Sequence, residues 1–269
     1  MISCVLKDGI GNMMFMIAYI EYEAKINNYK TGYYNVDQQL QHLNQDVIEL
    51  PQLNHAFEYL TMFKNFKWHS AKLHLGDGKL DLHDHRIYDL VDLKYEPIIV
   101  DDNVLYEGFF QSEKYFPDRE FVLNLFEPSN KVCTQLQKYN HLFSGTTCSI
   151  HVRRGDYLKP GIHIARDLSY YQKGINIIGE VDKYLIFSDD LEWCKKNFIG
   201  DEFYFIENEK DYVELFLQSK CTHNIISSST FSWWGAYLNT GINKKIVAPK
   251  KWFKNDMKND IVPDSWLTT

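Results

Sequence analysis

The sequence predicts an α/β protein built from two α/β halves, and three observations carry that prediction. In the second half, five short apolar runs alternate with four helix-like stretches, the pattern of a parallel sheet with crossover helices. Those runs are near-continuous in apolar residues, as strands buried on both faces should be. In the first half a strand-like run leads through a glycine turn into a long apolar helix, which opens the same alternation.

In chain order, "ISCVL" (2–6) reads as a strand and "KDGIGN" as a glycine turn. Residues 12 to about 28 read as a helix, and "TGYYNV" (31–36) as the next strand. Residues 45 to 100 carry scattered His, Asp and Leu with weak periodicity, and no topology is assigned there. "VLYEGFF" (104–110) reads as a late strand, and "YNHLFSGTT", near 140–146, as a boundary. Beyond it the strands are "TTCSIHV" (146–152), "KYLIF" (183–187), "EFYFI" (202–206), "HNIIS" (223–227) and "KIVAP" (245–249). The helices between them are "SYYQKGINII", "LEWCKKNF", "DYVELFLQSKC" and "FSWWGAYLN". Ligands of such sheets bind beyond the carboxyl ends of strands, so motifs placed there are the functional candidates.

Composition narrows the partners. At 269 residues the chain can bury one large core or two of about half that length. The net charge of −7 and the absence of any long basic run exclude a nucleic-acid or anionic-membrane partner. An anionic small molecule remains open, since a few placed arginines suffice for it. The odd number of scattered cysteines, five, reads as buried reduced thiols with no disulfide framework. "MMFMIAYI" (13–20) is too short to span a bilayer and runs straight into Glu21, Glu23 and Lys25. A soluble, cytoplasmic protein without an integral membrane segment is expected.

The central motif is "SIHVRRGDYLKPG" (149–161). Alternation puts Ile150 and Val152 on one face of the strand and His151 and Arg153 on the other. Arg153 falls at the carboxyl end, and Arg154-Gly155-Asp156 makes the turn. A guanidinium there can bind phosphate oxygens two at a time, which a lysine cannot copy. Asp156 can orient one arginine, and His151 can reach a nucleobase or a phosphate.

Three further stretches fit an anion site. In "LIFSDDLEWC", Ser188 or Asp189 is expected to cap the following helix, while Asp189 or Asp190 can accept from the N–H edge of a base. No D-x-D sequence occurs and no histidine lies near, so a metal is not expected. In "IISSSTFSWWGAYL" a strand runs into Ser227, Ser228, Ser229 and Thr230 before a helix, and hydroxyls with free N–H groups make an anion site. Trp233 and Trp234 are expected in the core. In "KDGIGNMMF", Gly9 and Gly11 allow close backbone approach to a phosphate, without the third glycine of a dinucleotide fingerprint or a Walker lysine. "DLHDH" (81–85) is expected to be a polar loop.

On "GIGNMMF", "YEGFFQSEKYF", "HVRRGDY", "SSSTFSWWGAYLN" and "PKKWF…IVPDSW", the chain resembles the α-1,2-fucosyltransferases of glycosyltransferase family 11 over nearly its whole length. The resemblance implies a GT-B-like architecture, two Rossmann-like halves with the active site in the cleft between them. Domain 1–143 would face the acceptor and domain 144–269 would bind the GDP-sugar, the last residues packing back on the first half. It implies inverting transfer of L-fucose from GDP-β-L-fucose to a galactoside hydroxyl, with no metal and no cofactor beyond the donor. Arg153 would hold the β-phosphate, supported by Arg154 and Asp156. His151 with Asp189 or Asp190 would contact guanosine. Ser228, Ser229, Thr230 and Ser232 would surround the phosphates, and Gly9, Gly11 and Asn12 would line the facing wall. Met13, Met16 and Ile17 depart from the family pattern, on the acceptor side. The general base is left among Asp156, Asp8 and Glu107.

Overall fold

The computed structural model describes residues 1–35, 62–66 and 94–269, with three short backbone strands at 75–76, 79–80 and 84–87. The chain divides into two compact units, Met1–Ser129 with Lys258–Ile261 and Asn130–Met257 with Val262–Thr269. Among the described residues no helix is long and apolar enough to cross a membrane.

The first unit holds β1 (Ile2–Leu6), α1 (Ile10–Asn27), β2 (Thr31–Asn35), the antiparallel pair β3 (Leu75–Gly76) and β4 (Lys79–Leu80), β5 (Asp84–Ile87) and β6 (Val104–Glu107). Its main sheet runs β2-β1-β6-β5 and every pairing is parallel. Helix α1 is apolar on all sides from Met13 to Ile20 and buries that whole stretch, as a helix covered all round must. It ends at Asn28, which takes the left-handed conformation (φ 57°) that asparagine tolerates. Tyr19 of α1 stacks on Phe110 at 4.1 Å and meets Tyr115 edge-on, so aromatics fill this core. The unit also carries α2 (Arg119–Leu125).

"DLHDH" is only partly the expected loop. Asp84 and His85 open β5, in parallel register with Val104 and Leu105 of β6, while residues 81–83 lie outside the described residues.

The second unit begins with α3 (Asn130–Gln137) and continues β7 (Thr147–Val152), α4 (Leu168–Ile178), β8 (Lys183–Ser188), α5 (Leu191–Asn197), β9 (Phe203–Phe205), α6 (Asp211–Lys220), β10 (His223–Ile225), α7 (Thr230–Tyr237), β11 (Ile246–Ala248) and β12 (Leu267–Thr268). All five expected strands and all four expected helices are present, and β12 is an addition. The six strands form one parallel sheet in the order β12-β11-β10-β7-β8-β9. Every residue of the central strand β7 is buried, because helices cover both faces. Trp233 and Trp234 are wholly buried, Trp233 stacking on Tyr237 at 4.6 Å. Gly235 of α7 lies so close to α6 that a Cβ there would stand 2.8 Å from Gln218 Cβ.

Of the five cysteines, Cys4, Cys148, Cys194 and Cys221 are the buried free thiols expected, whereas Cys133 is exposed on α3. Its position falls on the solvent side of a helix that buries only Val132 and Leu136.

Candidate functional site

The loop after β7 is built by its neighbour β8. The parallel register pairs Val152 with Ser188, so the residues just past each strand stand side by side. Arg153 Nε reaches Asp189 Oδ2 at 3.3 Å, and its Nη2 reaches Asp156 Oδ1 at 2.8 Å. Asp189 Oδ1 accepts from the backbone N–H of Arg154 at 2.9 Å. Gly155 leaves room for this clamp: a Cβ would stand 2.8 Å from Asp189 Oδ2 and push on that carboxylate. Arg154 turns the other way. Its Nε donates to Asp190 Oδ2 at 3.1 Å and its guanidinium lies 4.2 Å over the Trp193 ring. Thus the expected orientation of Arg153 by Asp156 is present, with Asp189 as a second clamp.

The aspartate pair divides its work differently from the expectation that Ser188 or Asp189 caps the helix. Asp190 is the N-cap of α5, its Oδ1 accepting from Trp193 N at 3.1 Å. It directly precedes Leu191, where the geometry of a cap requires the acceptor to be. Ser188 Oγ instead accepts from Asp190 N at 2.9 Å.

On the other flank of β7 stands β10, whose continuation carries the hydroxyl run. His151 is 6% exposed and shares a 2.8 Å hydrogen bond between Nδ1 and Ser227 Oγ. Burial, helped by the charge of Arg153, holds its pKa down at about 3, so the imidazole is neutral at pH 7. Its ring lies 5.4 Å from that of Phe231. Ser229 is the N-cap of α7 but makes no side-chain cap hydrogen bond. Ser232 is fully buried and donates to Ser229 O at 3.1 Å, and Ser228 is also buried. Of the run from Ser227 to Thr230, only Thr230 is part-exposed. Four hydroxyls in a row therefore serve partly to satisfy buried groups.

A strap from Tyr157 to Arg166 closes over Ser228, and of it only the start, in the motif ending at Gly161, is marked in the sequence. Tyr157 OH donates to Ser228 O at 3.0 Å. The Tyr157 ring stacks on His163 at 4.4 Å, and the Arg153 guanidinium lies 5.6 Å from its centroid. Arg166 donates from Nε and Nη2 to Ser228 Oγ, at 3.2 and 2.6 Å, and from Nη2 to the carbonyl of Lys251. Burial lowers its pKa. Its only sequence signal is an arginine just ahead of Asp167, the N-cap of α4, and that does not separate it from any surface arginine.

In the first unit Gly9 is the N-cap of α1, beyond the carboxyl end of β1, and Gly11 is buried in its first turn. Asn12 Oδ1 accepts from Gln111 Nε2 at 2.9 Å. Gln111, also unforeseen, follows Phe110, which holds a left-handed φ of 49° although it is aromatic. That conformation is uncommon for a residue with a bulky side chain, and its ring stacks on that of Tyr19. Of the three candidate bases, Glu107 pairs with Lys7 at 3.1 Å, Asp8 is exposed with φ 63°, and Asp156 is tied to Arg153.

The second unit thus gathers His151, Arg153, Arg154, Asp156, Asp189, Asp190, Ser228, Ser229, Thr230 and Ser232 around the carboxyl ends of β7, β8 and β10. Gly9, Gly11 and Asn12 gather separately at the carboxyl end of β1.

The chain is similar in sequence to known proteins. The model of "Glycosyl transferase family 11" matches residues 1–268. The chain is 30% identical to the "O-antigen biosynthesis glycosyltransferase WbnK" of Escherichia coli, over 99% of each chain. It is 33% identical to an "Alpha-1,2-colitosyltransferase" of Escherichia coli, over 61% of this chain and 62% of that one. It is 27% identical to the "Galactoside alpha-(1,2)-fucosyltransferase 1" of Homo sapiens, over 61% of this chain and 49% of that one.

Proposed function

Since the chain belongs to glycosyl transferase family 11, we propose that it transfers L-fucose from GDP-β-L-fucose to a galactoside hydroxyl, inverting β to α and forming an α-1,2 linkage. The observation that carries this reading is the fixed guanidinium of Arg153. It stands one residue past β7, held by Asp156 and Asp189, with Gly155 leaving space for the Asp189 carboxylate. The human relative is named for an α-1,2-fucosyl transfer to galactosides, which supports the linkage.

The acceptor hydroxyl oxygen bonds to the anomeric carbon as the bond from that carbon to the β-phosphate oxygen breaks. The electron pair of the broken bond stays on GDP, and the hydroxyl proton passes to a base. The transition state is oxocarbenium-like, and negative charge grows on the diphosphate. Arg153 stabilises that charge in the role a metal ion has elsewhere. Its pre-set position matters because no reorganisation is then needed as the charge develops. Arg154, stacked and paired, fixes the loop. Neutral His151 offers a ring nitrogen to the nucleotide without adding charge. Asp156, exposed beside Arg153, is the second-unit candidate for the base.

A second reading is transfer of a related GDP-linked deoxy-sugar, favoured by the likeness to the colitosyltransferase. The two separate in one assay. The protein is incubated with a panel of GDP-sugars and a β-galactoside in the presence of EDTA, and the product linkage is determined. Fucosyl transfer with an α-1,2 linkage is expected, undiminished by EDTA. Transfer from another GDP-sugar alone favours the second reading, and hydrolysis or transfer that stops with EDTA overturns the metal-free mechanism.

A further inference from the structure

We propose that Arg166 is a diphosphate-binding residue of this site, supplying a positive charge in addition to that of Arg153. The inference rests on the proposed GDP-sugar reading.

The charges of the cluster motivate it. Arg153 lies against Asp156 and Asp189, and Arg154 against Asp190. Two guanidinium groups against three carboxylates leave that cluster negative overall, which opposes an incoming diphosphate. Arg166 is different. Its recorded hydrogen bonds go to Ser228 Oγ and the Lys251 carbonyl, both uncharged. Among the described residues no carboxylate stands within ion-pair distance of it. The charge of Asp167, next along the chain, acts on it without forming an ion pair, so the guanidinium held by neutral oxygens stays available to a ligand, and partial burial makes its charge count for more than it would in water.

Placement supports the same role. Ser228 is the shared anchor: Arg166 holds its side chain, and Tyr157 holds its carbonyl while its ring lies beneath Arg153. Arg166 is thereby joined through Ser228 and Tyr157 to the very arginine assigned to the β-phosphate. Ser228 Oγ receives two N–H groups from Arg166 and is buried, so it acts as a tether that fixes the fork of the guanidinium. The Nη1 group has no recorded partner among the described residues, which leaves donors for phosphate oxygens.

The test compares GDP with guanosine, which lacks the phosphates, by calorimetric titration of wild type, Arg166→Gln and Arg153→Ala. For Arg166→Gln the expected result is GDP affinity reduced roughly 10- to 100-fold with guanosine affinity unchanged within about twofold. GDP affinity within twofold of wild type overturns the proposal. So does an equal loss for both ligands, the mark of a strap that only shapes the pocket. If the glutamine variant does not fold, Arg166→Lys decides. A preference for GDP over guanosine kept within about fivefold of wild type supports a charge role, and its complete loss in a folded lysine chain overturns it. Wild type that binds no GDP, or an Arg153→Ala chain that binds it unchanged, counts against the GDP-sugar reading itself. An unaffected Arg166→Gln beside a weakened Arg153→Ala sinks this inference alone.

Discussion

Asp189 holds Arg153 with one carboxylate oxygen, at 3.3 Å, and the Arg154 amide with the other, at 2.9 Å. The loop that carries the proposed catalytic guanidinium is thus fixed by a residue 36 positions later as well as by Asp156 of its own turn. Asp189→Asn keeps the size but places an amide donor against the donor Nε. The expected outcome is a fall in kcat/KM of roughly 10- to 100-fold, since hydrogen bonds to charged groups are worth about 1.5–3 kcal/mol. Steady-state kinetics with GDP-fucose measure it, and activity within twofold of wild type would show that the clamp does not matter.

Arg153→Ala should lower the rate roughly 10²–10³-fold, the loss typical of one preorganised donor to a developing oxyanion. Arg153→Lys should recover little of it. A single ammonium cannot meet Asp156, Asp189 and a phosphate with a planar fork. Single-turnover rates for the three chains provide the comparison.

Gly174 on α4 packs on β10, where a Cβ would come within 2.9 Å of Ile225 Cγ2. Ile225 is fully buried and β-branched, so it gives way poorly. Overpacking costs about 1–3 kcal/mol, and alanine regains close to 1 kcal/mol of helix propensity. Gly174→Ala is therefore expected to lose about 1 kcal/mol net in denaturant unfolding. Gly161→Ala, with nothing within 4 Å of the added methyl, is expected to lose nothing measurable. Equal stability of the two variants would contradict the packing argument.

Buried His151 and part-buried Glu214 give opposite pH slopes. Burial pushes the Glu214 carboxyl up to about 8, with Asp211 and Glu209 adding to the effect. Its native form therefore holds a proton that the unfolded chain gives up near pH 4.5. Stability from this group is present in full below that pH and is lost as pH rises through about 8. Glu214→Gln is expected to flatten the decline between pH 5 and pH 8 in urea midpoints. A decline as steep as that of wild type would rule the group out.

His151 works the other way. Its native pKa of about 3 lies below the usual 6.5, so the unfolded chain takes up a proton that the native chain refuses. The contribution is present in full above 6.5 and is lost as pH falls toward 3. His151→Asn is expected to lessen the acid-side slope of stability. If it does not, the imidazole is not held neutral by its surroundings.

How far each part was legible depended on how local its cause is. The strands from Thr147 to Ala248 stood out because each is a short apolar run set off by helices, and burial on both faces writes that pattern into the residues themselves. The strand Leu267–Thr268 was missed because it is two residues long and both are exposed. Asp190 as cap was mistaken by one position, a distance that propensity does not resolve but a hydrogen bond to Trp193 does.

By itself the sequence determined the alternation of strands and helices, the burial of Trp233 and Trp234, and the place of Arg153 at a strand's carboxyl end. Only the tertiary structure decided which partners these residues meet. With β8 on one side of β7 and β10 on the other, Asp189 comes level with Arg153, and Ser227 comes within hydrogen-bond reach of His151. Arg166 and Gln111 gained their meaning the same way, from contacts with Ser228 and Asn12 that lie far away along the chain. The physical reason is that periodicity records which side of an element is dry. Strand order and register, set by the packing of the whole sheet, determine which charges share an edge.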